Sequence, residues 1–324
     1  MTRRRWGLLV VALAALITAG AVGYGLYAGV ANRNGLLPGG SAVALIRFDG
    51  TITDETVAPT RGGRQNIKDL LTQAERDSSV KAVVLRINSP GGSAAAAQEL
   101  YDQVGRLRQS GKPVVAYFTD TAASGGYYVA AAADRIVSQP ATITGSIGVI
   151  ITSLDTQGLQ DKIGVRQRVI KSGPYKDILS ANRDLTPEEQ AILNTLVQQT
   201  LDQFVSAVAK GRNLPEAQVR QIADGRVVTG TEAQRLHLVD EVGDQERAVE
   251  LAAQLAKLPP KPRVVVYEPS SAGDCSGCSA RSRIISRGKR CSTSLGPAAS
   301  AMNGGESDGR SANRDRGASG IPRP

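Results

Sequence analysis

Histidine, cysteine and aromatic residues are scarce in this chain. Its 324 residues include one His, three Cys, three Phe, one Trp and eight Tyr. A single imidazole, His237, excludes any metal site built on several histidines and obliges any Ser-His-Asp triad to use that one residue. The cysteines, Cys275, Cys278 and Cys291, are odd in number and confined to the C-terminal stretch, so they give no disulfide framework. One CxxC without a second pair or a His partner is a poor zinc signature, and no metal or cofactor is expected.

Charge is also absent where a binding surface would need it. The formal net charge is +9, but residues 1–33 carry four Arg and no acid, and residues 270–324 carry nine basic and four acidic residues. The 236 residues between them hold 26 of each sign. The excess therefore lies at the two ends, and nothing in the middle supports a nucleic-acid partner.

The N-terminus has Arg3-Arg4-Arg5 and then no charged residue from Gly7 to Ala31. Twenty-five residues of helix rise about 37 Å, enough for a hydrocarbon core of about 30 Å. The run is longer than the apolar core of a cleaved signal peptide, so residues 1–33 read as a transmembrane anchor contacting the lipid bilayer. Tyr24 and Tyr27 fall at its far interface. The Arg cluster keeps the N-terminus cytoplasmic, and the remainder of a single-pass cell-membrane protein then lies outside the cytoplasm. Residues 34–41 form a linker. Residues 270–324 hold 12 Ser, 9 Gly and 8 Arg with almost no apolar periodicity, the composition of a disordered tail.

Residues 42–269 read as the folded domain. Ala42–Phe48, Val80–Ile87, Pro113–Phe118 and Arg135–Ser138 have strand patterns, as do 166–170 and Arg263–Tyr267. Helical spacing marks 64–77, Ala94–Gln109 and Gly125–Ala133. It also marks a long helix from Thr186-Pro187-Glu188-Glu189 to about Lys210, whose apolar positions Ile192 to Val208 are expected to face a core or a neighbour. Shorter helices follow near 215–223, 231–236 and 244–257. Strand, Gly-containing loop and helix in repetition define an α/β fold with a largely parallel sheet and crossover helices.

Two Gly-rich loops close predicted strands: Asn88-Ser89-Pro90-Gly91-Gly92-Ser93 and Thr121-Ala122-Ala123-Ser124-Gly125-Gly126. Ligands of parallel α/β sheets bind beyond the carboxyl ends of strands. Paired glycines there are equally consistent with tight turns and with backbone N–H groups exposed to an oxyanion. Ser124 is the sharper feature, a hydroxyl between small residues at a strand end and a helix start. A serine nucleophile needs a base. His237 sits in an apolar turn, Arg235-Leu236-His237-Leu238, and is a poor one. A lysine that can shed its proton is the remaining choice. Lys176, in Lys171-Ser172-Gly173-Pro174-Tyr175-Lys176-Asp177, is a candidate, although spacing alone reads most lysines as solvated charges.

Ser-Pro-Gly-Gly-Ser at 89–93, Ala-Ala-Ser-Gly-Gly-Tyr-Tyr at 122–128, Thr-Gly-Ser-Ile-Gly-Val at 144–149 and Lys-Ser-Gly-Pro-Tyr-Lys-Asp at 171–177 occur in order. Together they resemble the signal peptide peptidase SppA family in its short, single-domain form, over about residues 42–268. The resemblance implies a Clp protease/crotonase-like fold and a Ser-Lys dyad, with Ser124 the nucleophile and Lys176 the general base. Gly125 and one of Gly91 and Gly92 would supply the oxyanion hole, and Ser146 would either orient the lysine or simply shape its turn. It also implies a homo-oligomeric ring, an octamer, in which Ser and Lys come from neighbouring protomers. The implied substrates are signal peptides left in the membrane after preprotein cleavage. Pro174, residues 178–182 and His237, which stands where a Gly is usual, depart from the family's pattern. The rival readings are a related membrane-bound Ser-Lys peptidase with other membrane-protein substrates, an inactive scaffold, and a crotonase-type acyl-CoA enzyme.

Overall fold

The computed structural model of the chain describes residues 16–26, 40–56, 66–268 and 283–284, all within the unit Met1–Ile285. Residues 16–26 form a helix, α1, whose side chains are exposed. No helix among the described residues is long and apolar enough to cross a membrane. The rest of the apolar run assigned to an anchor, most of the linker and nearly all of the C-terminal tail lie outside the described residues.

The domain is built on a nine-stranded mixed sheet. Its main path runs β6 (Val227–Thr229), β5 (Ile143–Gly145), β3 (Val114–Ala123), β2 (Val80–Ser89), β1 (Ala42–Asp49), β8 (Arg263–Tyr267), β9 (Arg283–Ile284). A branch leads from β3 through β4 (Arg135–Ser138) to β7 (Glu241–Val242). Every pairing is parallel except β5 with β6 and β8 with β9. The expected α/β fold with a mostly parallel sheet is what forms.

Parallel pairing requires crossovers, and these bury both faces of the sheet. Alternation along β1 sends Ala44, Ile46 and Phe48 to one side. There they join Leu70 and Leu71 of α2 (Ile67–Arg76), Leu100, Val104 and Leu107 of α3 (Ala94–Gln109), and Tyr127 of α4 (Gly125–Ala130). Val43 and Leu45 point the other way and pack with Val84, Val115, Ala248 and Leu251, the last two from α9 (Gln245–Leu255). Continuous β-branched runs such as Val80–Ile87 thus serve two cores at once.

Three expectations need correction. Residues 166–170, read as a strand, have no strand partner among the described residues; Val169 is half exposed and Ile170 fully exposed, so the β-branched pair joins no sheet there. The long helix α6 (Pro187–Arg212) forms, with Thr186 and Glu189 in a reciprocal capping box, but its apolar stripe is only half buried. Phe204, Val205 and Val208 enter the core, whereas Ile192 and Leu196 stay exposed. The third strand runs five residues past Phe118, which brings the chain directly to Ser124.

Residues 150–185 lack a core of their own. They include α5 (Gln157–Ile163), which has no buried residue, and they expose Ile150, Leu154, Leu159, Ile163 and Ile170. After α6, α7 (Glu216–Ile222) and α8 (Gly230–Arg235) flank β6 in the sequence.

Candidate active site

Ser124 follows β3 immediately and precedes α4, a sharp strand-to-helix elbow. Its backbone has φ 51° and ψ −122°, a left-handed conformation that a non-glycine residue adopts only when its surroundings enforce it. Two hydrogen bonds do so. The Ser124 N–H donates to the Gly145 carbonyl at 2.9 Å, and the Ser124 carbonyl accepts from the Tyr128 N–H at 2.9 Å. β5 is held beside the elbow by the buried Thr144 hydroxyl, which donates to the Ala122 carbonyl at 2.6 Å. The Ser124 hydroxyl has no hydrogen-bond partner among the described residues.

The 89–93 loop is pressed against this elbow. Gly91 has φ +97°, and a Cβ there would lie 2.6 Å from Gly125 N. Gly92 has φ +150°, and a Cβ would lie 2.1 Å from the Ile52 carbonyl oxygen. Ile52 and Gly92 form a parallel bridge: Ile52 N–H donates to Gly91 O at 2.8 Å, and Ser93 N–H donates to Ile52 O at 2.9 Å. Only glycine fits these positions, because each combines a positive φ with a close backbone approach.

The two glycines of this loop differ in burial and in hydrogen bonding. The Gly91 N–H donates to the buried Ser89 hydroxyl at 3.2 Å, and Gly91 itself is buried. Gly92 is exposed, and its N–H and that of Gly125 have no acceptor among the described residues. Gly92, Ser124, Gly125 and Ser146 line one cleft of about 770 Å³, walled by Tyr128 of α4 and Phe204 of α6. The rings of Tyr128 and Phe204 meet edge to face at 5.0 Å, and the Tyr128 hydroxyl bonds Gln98. Burial pushes the Tyr128 phenol up to about 12, so it stays a neutral donor at ordinary pH. Ser146, which lines the cleft, has φ +49° and its N–H donates to Arg226 O at 2.8 Å.

Lys176 does not line this cleft. It lies on an exposed turn at 173–178, and its ammonium has no hydrogen bond or ion pair among the described residues. The structure therefore brings together Ser124, Gly92, Gly125 and Ser146 within one chain and leaves Lys176 apart. His237 is also outside the cleft; its φ of +59° explains why that turn suits a glycine.

Sequence reading missed a network next to Lys176. Asp177 Oδ1 accepts from Lys171 Nζ and from Arg183 Nη2, each at 2.7 Å, and Arg183 also grips Glu189 of α6 at 2.6 and 2.7 Å. The Thr-Pro-Glu-Glu capping motif announced Glu189, but nothing in the spacing announced that its carboxylate faces an arginine six residues upstream. Among the described residues no group of three or more His, Cys, Asp or Glu side chains could hold a metal ion.

A serine on a strained elbow, with unpaired N–H groups beside it at the carboxyl end of a parallel sheet, is the equipment of a serine hydrolase acting on acyl groups. Residues 106–259 match the model of Peptidase family S49, and residues 57–144 match that of Clp protease. A Synechocystis sp. protein named as a protease is 46% identical over 205 residues, covering 63% of this chain and 73% of that protein. An Enterococcus faecium protein named as signal peptide peptidase SppA is 39% identical, over 60% of this chain and 56% of its own length. Serine protease SPPA, chloroplastic, of Arabidopsis thaliana is 36% identical over 76% of this chain but only 37% of its own. The chain belongs to peptidase family S49. It is a serine protease, its substrates are peptides, and its fold is of the Clp-protease kind.

Proposed function

We propose that this protein is a membrane-anchored endopeptidase in which Ser124 and Lys176 form a Ser-Lys dyad between neighbouring protomers of a ring. The observation that carries the reading is the separation within one chain. The elbow, the free N–H groups and the cleft belong to Ser124, while the lysine of the matching motif stands on an exposed turn away from them. A second copy would bring its lysine to the cleft, and the exposed apolar side chains of residues 150–170 would be covered by the same contact.

In the proposed mechanism the Ser124 Oγ attacks the peptide carbonyl carbon and passes its proton to the neutral Lys176 amine. The oxyanion accepts hydrogen bonds from the Gly125 and Gly92 N–H groups. The tetrahedral species collapses with cleavage of the C–N bond, and the Lys176 ammonium protonates the departing amine. Water, deprotonated by Lys176, attacks the acyl-enzyme; the acid leaves and Ser124 regains its proton. Ser146, which lines the cleft, would orient the incoming amine.

The Arg3-Arg4-Arg5 cluster and the uncharged run after it support a single-pass anchor with the peptidase domain, residues 42–269, outside the cytoplasm. An anchored site with an apolar wall suits remnant signal peptides, and the E. faecium relative is named as a signal peptide peptidase. An octamer is the ring size adopted for this reading.

Mixing tests it. Full-length chain in detergent is assayed on a signal-peptide-like peptide, with S124A and K176A each expected to be inactive. Co-assembled, the two variants regain activity, up to about a quarter of the wild-type rate if neighbours are random. Activity in either single variant would remove the dyad, and no recovery after verified co-assembly would place both residues in one chain.

A further inference from the structure

We infer that Lys171 and Arg183 are positioning residues for the base: they hold the carboxylate of Asp177, the residue next to Lys176, and so fix the Lys176 turn on the start of α6 while keeping that negative charge from the Lys176 ammonium. The inference rests on the proposed role of Lys176.

Packing does not hold this turn in place. Residues 150–185 have no core of their own, and Tyr175 and Lys176 are exposed. Polar contacts take its place. Arg183 Nη2 and Nε donate to Asp177 Oδ1 at 2.7 Å and Oδ2 at 3.2 Å, and Lys171 Nζ shares Oδ1 at 2.7 Å. Lys171 Nζ also donates to the Pro174 carbonyl at 3.0 Å, which closes the turn from its other side. Arg183 then reaches Glu189, whose side chain is 2% exposed and whose Oε2 also caps Thr186 N–H at 3.0 Å. The turn is thus tied, through one arginine fork, to a buried carboxylate in a helix cap.

Exposed ion pairs contribute little. This one differs in that a guanidinium spans two carboxylates and one of them is buried. The hydrogen bonds from Arg183, then those from Lys171, hold the Asp177 carboxyl well below the usual carboxylate range. Both of its oxygens are occupied by these cations. A general base must be neutral to accept the Ser124 proton, and an unoccupied carboxylate beside it would favour the ammonium form. The charged groups on this turn, on the segment after it and on the first turn of α6 are Lys171, Lys176, Asp177, Arg183, Asp184, Glu188 and Glu189; Tyr175 is the other titratable side chain.

The test uses full-length enzyme and the same peptide, with the pH–activity profile and the separate kcat and KM as readouts. R183Q is expected to lower kcat with little change in KM and to move the acid limb of the profile up by about one pH unit. The R183Q/D177N double variant returns the limb to its wild-type position, because the charge released by the first change is gone. R183K, which keeps the cation, leaves the limb in place. Should R183Q fail to fold, K171M removes the other cation while leaving the Arg183–Glu189 pair, and it shifts the limb in the same direction, again reversed by D177N. An unmoved limb in K171M and R183Q, or a shift that D177N does not reverse, overturns the inference while inactive K176A keeps the dyad intact. A fully active K176A overturns both.

Discussion

A Cβ placed on Gly91 would lie 2.8 Å from the Cβ of Ser124, nearer than real side chains approach, so the loop after β2 and the elbow after β3 can meet only because Gly91 has no side chain. The contact links the Gly91-Gly92 side of the cleft to the Ser124 side.

Substitution at Gly91 should therefore damage chemistry more than stability. G91A must move Ser124 or Gly125, and displacement of reacting groups by about 1 Å can cost about 100-fold in rate. Gly111 is the control: its φ is +84° but nothing lies within 4 Å of an added Cβ. G111A should lose about 1 kcal/mol from backbone strain and keep wild-type kcat/KM. Wild-type kcat/KM in G91A would show that the loop contact does not set the nucleophile.

Acid should loosen the start of α6. Hydrogen bonds from Arg183, then that from the Thr186 N–H, bring Glu189 from its ordinary 4.5 down to about 2. A carboxylate whose folded value is depressed adds stability that is complete above the unfolded value and is lost as pH falls through the folded one. The loss should therefore run from about pH 4.5 to about pH 2. Thermal melts of wild type across that window should fall more steeply than those of E189Q, which starts lower at neutral pH. Parallel curves would mean that the Arg183 pair does not couple to folding.

Exposed apolar side chains identify the surface that assembly should cover. Leu159 and Ile163 on α5 are 60% and 64% exposed, and Ile170 is fully exposed. I170D should reduce the mass of the particle in light scattering and lower activity in proportion, leaving the far-UV spectrum unchanged. Loss of activity without loss of mass would assign Ile170 to something other than assembly.

Much of the scaffold was legible because its strands are buried runs with glycine or proline at their ends. Ala94–Gln109, Arg135–Ser138 and Arg263–Tyr267 form over the residues their patterns indicate. Failure came where a pattern depends on a neighbour. Among the described residues, 166–170 look like a strand but find no ladder, and the exposed half of the α6 stripe has nothing to pack on. β5, β6 and β7, of two or three residues each, carry too few positions for a period. At the site, the Gly-Gly loop was visible, but the choice of Gly92 over Gly91 as the free donor required the Ser89 hydroxyl bond. The Arg183 fork joins residues whose facing depends on the turn between them, which no spacing encodes.

Gly211 controls how closely α6 approaches α4, the helix after Ser124. A Cβ on Gly211 would meet the Ala131 carbonyl oxygen at 1.9 Å and its carbon at 2.8 Å, and backbone cannot yield as a flexible side chain does. Ala131 ends α4, the helix that begins beside Ser124, and the Tyr127 hydroxyl anchors that helix on the Leu238 carbonyl at 2.8 Å. G211A must therefore push α6 outward or shift α4. Overpacking of this kind costs about 1–3 kcal/mol. In an open helix the same change works the other way, since alanine is favoured over glycine by about 0.5–1 kcal/mol. Gly105 in α3, with nothing within 4 Å, supplies that comparison. Calorimetry should give a lower Tm for G211A and an equal or higher Tm for G105A, and G211A should also lose kcat because the disturbance reaches the elbow. A raised Tm in G211A would mean that the two helices separate freely, and the close approach would then have no part in holding Ser124.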